Sequence, residues 1–182
     1  MVRTRVGYSG GTTQNPTYYG LENHSETIEI DYDPTVLSYE DLLEVFWNGH
    51  NCTAQAYSRQ YASIIFYHDE EQRDLAIQTK ARQEQRLNKT VLTEINAFEQ
   101  FYLAEDYHQK HYMQGVLQIS RDFNFIYPDY LGWVNSTAAA RVNGYLGGNG
   151  TQRDLQAQID SLGLSSDAKS KLLEMRNILP RD

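Results

Sequence analysis

The chain has 182 residues, 40% of them hydrophobic and 22% charged, which is the make-up of one globular domain or one domain with an appendage. A net charge of −8, with basic residues that do not cluster into a stripe and Arg3 and Arg5 as the dense pair near the candidate site, speaks against binding to nucleic acid. No apolar run reaches membrane-spanning length, and a single cysteine, Cys52, rules out an intrachain disulfide framework and any multi-cysteine metal site. No apolar signal core opens the sequence, so a cytoplasmic monomer is expected, and the scattered Asn-X-Ser/Thr triplets are read as chance.

Val2 to Tyr8 reads as a strand, with Val2, Thr4, Val6 and Tyr8 on one face and Arg3 and Arg5 on the other. Gly10-Gly11 and Asn15-Pro16 mark a turn-rich loop. Ser25 to Asp33 is the next strand, stopped by Pro34, with Glu26, Ile28, Ile30 and Tyr32 expected inside and Thr27, Glu29 and Asp31 outside. Ser38 and Asp41 form an approximate capping box for a helix that carries Tyr39, Leu42, Leu43 and Phe46 on one side and ends near Gly49. A polar connection with Cys52 follows.

Tyr61 to Tyr67 is bulky on both faces and is predicted to be an inner strand. Asp69 to about Arg86 is a long helix with a thin apolar face of Leu75, Ala76 and Ala81. Thr90 to Ile95 is a further strand, and Glu105 to Gln114 is helical. Beyond Gln114, Phe123 to Trp133 reads as an aromatic loop. Asn135-Ser136-Thr137 caps a short alanine-rich helix, and Gly147, Gly148 and Gly150 read as a hinge. Thr151 to Leu162 and Ser166 to Ile178 are predicted to pair as a helical hairpin. The alternation of strands and helices gives an α+β or α/β class with helices on a mixed sheet.

Glu26 stands out as a carboxyl group on an apolar strand face, which is costly unless paired or protonated. The plain alternative is a solvated strand end at which Glu26 pairs with His24 or a backbone N–H. His108 and His111, with Glu105 and Asp106 nearby, have the spacing of a metal cluster, against which stands an ordinary surface or packing role.

The order of short motifs resembles the peptide methionine sulfoxide reductase A family. The matching text is Val6-Gly7-Tyr8-Ser9-Gly10-Gly11, Asn15-Pro16-Thr17-Tyr18, His24-Ser25-Glu26, Tyr32-Asp33-Pro34 and Ser38 to Leu43. It continues in Phe46-Trp47, Gln60-Tyr61, Phe66 to Gln72, Thr93-Glu94-Ile95, Phe101-Tyr102 and Ala104 to Gln109. The resemblance implies reduction of S-epimer methionine sulfoxide, free or in oxidised proteins, by a thiolate that becomes a sulfenic acid. Thioredoxin or another thiol restores it, and no bound cofactor or metal takes part. It implies Glu26 as the general acid and Tyr18 and Tyr61 as the binders of the sulfoxide oxygen. It also implies a two-layer sandwich with a ferredoxin-like core.

The family's Gly-Cys-Phe-Trp motif, with its nucleophilic cysteine, belongs before Val2 and is not in these 182 residues. The expectation is therefore a fragment or incomplete gene model, lacking the first strand and helix of the core. The alternative is an inactive relative that binds methionine or its sulfoxide, and a mitochondrial location becomes open if an upstream segment exists. Cys52 is the unfavoured replacement thiol. The regions are expected to be a reductase-like core over 1–114, an aromatic and glycine-rich tail over 115–150 and a helical extension over 151–182.

Overall fold

The computed structural model describes residues 2–175. Contacts divide the chain into two compact units, one formed by Val6–Ala104 and the other by the residues before Val6 together with those from Glu105 onward. The part of the last expected helix that runs on to Ile178 lies outside the described residues.

The first unit is α+β. Strand β1 (Arg3–Ser9) lies in the middle of a sheet ordered β2-β1-β5, with β2 at Ser25–Asp31 and β5 at Phe101–Leu103. β1 and β5 are antiparallel, with Gly7 opposite Leu103, Tyr8 opposite Tyr102 and Ser9 opposite Phe101. β3 (Ile64–Tyr67) and β4 (Glu94–Ala97) form a separate parallel pair in which Ile65 faces Ile95. The expected single mixed sheet is thus two sheets among the described residues, and β3 has one strand neighbour instead of two.

Helix α1 (Tyr39–Asn48) starts as its residues predict. The Ser38 hydroxyl accepts from the Asp41 N–H while the Asp41 carboxylate accepts from the Ser38 N–H, and Gly49 ends the helix. Its buried side is Leu43 and Trp47, which pack with Cys52, Ile65, Ala76 and Val91 into one core. Helix α2 (Glu70–Leu87) is capped by Asp69, and the Gln72 side chain reaches back to the His68 N–H. Its inward residues are Ala76 and Thr79, not Ala81, because the Thr79 hydroxyl is satisfied by the Leu75 and Ala76 carbonyls and so tolerates burial.

Two strand assignments shift. Arg59–Tyr61 is a 3₁₀ turn, so Tyr61 precedes β3 and does not belong to it. In β2 the expected inner face is only partly covered: Glu26 is exposed and Ile28 is 57% exposed, while Ile30 and Tyr32 are half-buried, and so are Thr27, Glu29 and Asp31 on the expected outer side. Alternation fixes which residues share a face but not which face is covered.

The second unit is helical. A 3₁₀ turn at Asp106–His108 is followed by α3 (His111–Gln114), α4 (Leu117–Ile126), α5 (Tyr130–Val134), α6 (Thr137–Leu146), α7 (Gln152–Gln158) and α8 (Ser166–Glu174). Three expectations are corrected here. The helix predicted over 105–114 is broken at Lys110, whose φ of 48° is left-handed. The aromatic loop predicted over 123–133 is largely helix, because Val116, Ile119 and Phe123 turn one apolar edge into the core. The glycines after α6 cap it through hydrogen bonds from Gly147 N–H to the Asn143 carbonyl and from Gly148 N–H to the Tyr145 carbonyl.

The core of this unit joins Met113, Phe123, Trp133, Val142, Leu155 and Leu172, with α4 against α8 and α3 against α6. The helices expected to pair as a hairpin bury Leu155, Ile159, Leu162 and Leu172 in this shared core and not between themselves alone. The first residues of the chain join through the Val2 carbonyl, which accepts from Thr137 Oγ1 at 2.6 Å, and through Thr4, which accepts from Lys110 Nζ. No helix among the described residues is long and apolar enough to cross a membrane.

Candidate active site

The site is assembled where β2 begins beside the turn that precedes β3. Alternation turns Ser25 inward, and its hydroxyl donates to the Arg59 carbonyl at 2.7 Å. That bond fixes the Arg59–Tyr61 turn against the strand. Glu26, the next residue, points outward, and its Oε1 accepts from Gln60 Nε2 at 2.8 Å. Arg59 in turn is paired with Glu94 at 2.5 Å, which ties the turn to β4. Glu26 is therefore paired with Gln60, and not with His24 as the plain reading had it.

Tyr18 comes from the loop between β1 and β2. Gly10 opens this loop with a φ of 79°, and a Cβ there would stand 2.7 Å from Phe66 Cζ. Within the loop, Thr17 and Gly20 close a tight turn through Gly20 N–H to the Thr17 carbonyl at 3.0 Å. Tyr18 and Tyr19 form the tip, ring against ring edge at 5.3 Å. Leu21 anchors the loop in a small core with Tyr8 and Ala104, against which Tyr18 also packs.

Tyr61 joins these pieces. Partial desolvation, the neighbouring Tyr18 and Glu26, and a hydrogen bond with Tyr18 together hold its phenol above the usual tyrosine range. Tyr18, Tyr61 and Glu26 thus converge, from three separate segments. Tyr61 is 55% exposed and Glu26 is also open to solvent, so among the described residues this wall faces solvent. Two phenols beside one carboxyl group supply hydrogen-bond donors and a proton-transfer group to an oxygen placed between them.

Cys52 does not join the group. It is 3% exposed and packs among Leu43, Trp47, Ile65, Ala76 and Val91. Phe46 and Trp47 also belong to that core. His108 and His111 fall on either side of the break at Lys110, so they do not share a helix turn. Among the described residues no group of three or more His, Cys, Asp or Glu is placed to hold a metal ion. Gln60, Ser25 and Arg59 were assigned no role from sequence, although Gln60 and Ser25 each stood in a motif beside a predicted site residue.

Residues 1–121 match the family described as peptide methionine sulfoxide reductase. The chain belongs to that family. Residues 133–175 match the helical domain described for selenoprotein methionine sulfoxide reductase A, so the segment read from sequence as an extension has counterparts of its own. A peptide methionine sulfoxide reductase of Drosophila melanogaster is 43% identical over 167 residues, covering 91% of this chain and 67% of that protein. The MsrA of Methanothermobacter thermautotrophicus is 43% identical over 122 residues, covering 61% and 72%.

Among solved structures, reduced Mxr1 from Saccharomyces cerevisiae superposes with a TM-score of 0.52 at 22% identity, over 58% of this chain and 66% of that one. This likeness supports the α+β fold. The chain spans roughly two thirds of the fly protein's length and slightly less of the yeast protein's.

Proposed function

We propose that this chain carries the oxygen-binding and proton-donating wall of a peptide methionine sulfoxide reductase specific for the S epimer. The observation that carries the reading is the pair of bonds, Gln60 Nε2 to Glu26 Oε1 at 2.8 Å and Ser25 Oγ to the Arg59 carbonyl at 2.7 Å, that hold the Arg59–Tyr61 turn beside Glu26, with Tyr18 next to Tyr61. The two phenol O–H groups donate to the sulfoxide oxygen and orient it. Glu26 supplies the proton that this oxygen needs to leave sulfur, and Gln60 holds the Glu26 carboxyl group in place. Bound substrate lying over Glu26 supplies the desolvation that the open wall lacks.

The reaction assigned to the site balances as follows. A thiolate attacks the sulfoxide sulfur and forms an S–S bond, the oxygen takes the proton of Glu26 and leaves as hydroxide, and that hydroxide then attacks the former thiolate sulfur, so that the S–S bond breaks, methionine leaves reduced by two electrons and the attacking residue is left as a sulfenic acid. Two reductant thiols, those of thioredoxin in this reading, then convert the sulfenic acid to a thiol and water with formation of one disulfide. Cys52 is buried, so the attacking group is assigned to a residue other than those of this chain. It is a thiolate or, given the selenoprotein for which the matching helical domain is described, a selenolate.

The burial of Cys52 favours a second reading as well, a binding module that recognises the sulfoxide without reducing it. Calorimetric titration with peptides that carry one S- or one R-methionine sulfoxide tests both. The S peptide is expected to bind, and Tyr18→Phe and Tyr61→Phe are each expected to weaken it about tenfold, as the loss of one buried hydrogen bond would. Equal binding of the two epimers, or none, rejects the site. Turnover of the bound peptide with dithiothreitol would reject the binding-module reading, and its loss in Cys52→Ser would return the attack to Cys52.

A further inference from the structure

His24 is 1% exposed, and both of its ring nitrogens are engaged. The Gly11 N–H donates to Nδ1 at 3.2 Å, and Nε2 lies 2.8 Å from the Thr13 carbonyl oxygen. A carbonyl only accepts, so Nε2 carries the proton. An amide N–H only donates, so Nδ1 is bare. The two partners agree on one neutral tautomer. The fit is close on the third side too. A Cβ on Gly11 would stand 2.3 Å from His24 Cδ2, and the ring meets Tyr102 edge to face at 5.5 Å.

Asn23 repeats the clasp from outside. Its Oδ1 accepts from the Thr12 N–H at 3.0 Å, and its Nδ2 donates to Thr12 Oγ1 at 3.3 Å. The segment that carries Tyr18 is therefore tied at its base by two consecutive side chains, the second of which leads directly into Ser25 and Glu26. Of the two, only His24 is buried, and its ring holds the half-buried Gly11 N–H and the Thr13 carbonyl at once.

We propose that His24, held as the Nε2–H tautomer, is a positioning residue that clasps Gly11 and Thr13 and so presents Tyr18 to Tyr61 and Glu26. This rests on the reading of those three residues as the sulfoxide site and adds to it the group that sets the loop. His24 touches neither substrate nor the transferred proton. It acts through the geometry of Tyr18, whose nearness and hydrogen bond add to desolvation in raising the Tyr61 phenol above the usual tyrosine range.

The test uses the full chain with carbon-13 tyrosine rings, the Tyr61 signal being assigned with Tyr61→Phe, and nitrogen-15 histidine. In the native protein the His24 spectrum is expected to show a protonated Nε2 and a bare Nδ1. His24→Ala is expected to bring the Tyr61 midpoint down toward that of an ordinary tyrosine and to weaken the S-sulfoxide peptide about tenfold, the effect of one lost hydrogen bond. His24→Asn keeps an acceptor near the Gly11 N–H and is expected to lie between the two.

The opposite tautomer, or a Tyr61 midpoint unmoved in a folded His24→Ala, overturns the proposal. If His24→Ala does not fold, the native tautomer and the Tyr61 midpoint of His24→Asn decide it in the same sense. A midpoint that moves in a protein that binds no sulfoxide would uphold the clasp and reject the sulfoxide reading, so the two failures are separable.

Discussion

Cys52 illustrates how a single residue's surroundings decide its chemistry. It lies with Leu43, Trp47, Ile65, Ala76 and Val91, and its carbonyl accepts from the Leu92 N–H at 2.8 Å. A thiolate must reach its electrophile, and a thiol packed among aliphatic and aromatic groups reaches none. Cys52 is therefore expected to resist Ellman's reagent in the native protein and to react at once in denaturant. Cys52→Ser buries a hydroxyl group in the same space and is expected to cost about 1–3 kcal/mol in urea unfolding. Rapid labelling of the folded chain would show that this core opens and would restore Cys52 as a candidate nucleophile.

The site residues show the converse. The strand pattern drew attention to Glu26 for a cost it does not bear, since the residue is exposed, and it was the family-like motifs that singled out Glu26, Tyr18 and Tyr61 together. Their meeting was not legible, because it depends on a bond between Ser25 and Arg59, which are 34 residues apart in sequence. No local period encodes that contact.

At the scale of elements, what could be read was what is local. The capping box at Ser38 and Asp41 and the cap at Asp69 use side chains three residues apart, and both helix starts follow from them. β3 was placed too early because Tyr61, read as part of a bulky strand, belongs to a turn set by tertiary bonds. Helix α4 was hidden by its aromatic residues, which favour strands in general but here stand at helical spacing, with Phe123 stacked parallel to Tyr127.

Two glycines give a contrast that tests the elements themselves. Gly7 lies in β1 opposite Leu103, and a Cβ there would come within 2.2 Å of the Tyr102 carbonyl oxygen, which is backbone and cannot turn aside. Gly7→Ala should therefore force β1 and β5 apart and cost about 2–3 kcal/mol. Gly144, in α6, has nothing within 4 Å of the same construction. Gly144→Ala should add about 0.5–1 kcal/mol by restricting the unfolded chain. Denaturant midpoints that shift the same way in both variants would contradict the assigned pairing of β1 with β5 or the helical placement of Gly144.

For the molecule as a whole, Lys110 sets an unusual dependence of stability on pH. Its Nζ donates to the Thr4 carbonyl and, at 3.0 Å, to Thr4 Oγ1, and the residue is 5% exposed. Burial, with the Arg5 guanidinium adding repulsion, pushes its pKa down to about 8. In the unfolded chain the same group titrates near ~10.4. Between those values the unfolded chain holds a proton that the folded chain has lost, so stability rises with pH.

Below about 8 both states are charged and the whole penalty, about 3 kcal/mol, weighs on the fold. Tyr39 works in the opposite sense. Burial, helped by Tyr32 and Asp69, raises it to about 12, so above its unfolded value near ~10 the unfolded chain loses its proton first and stability falls. Urea midpoints should therefore climb from pH 8 to about 10 and then decline, although a chain already at −8 would otherwise be expected to weaken as it gains negative charge. Lys110→Met removes the titrating group. It leaves Thr4 without its donor, an offset that does not vary with pH, and it should abolish the climb while keeping the decline. Parallel profiles for the two proteins would show that Lys110 is charged in the fold at no cost, and the burial argument for its lowered pKa would be wrong.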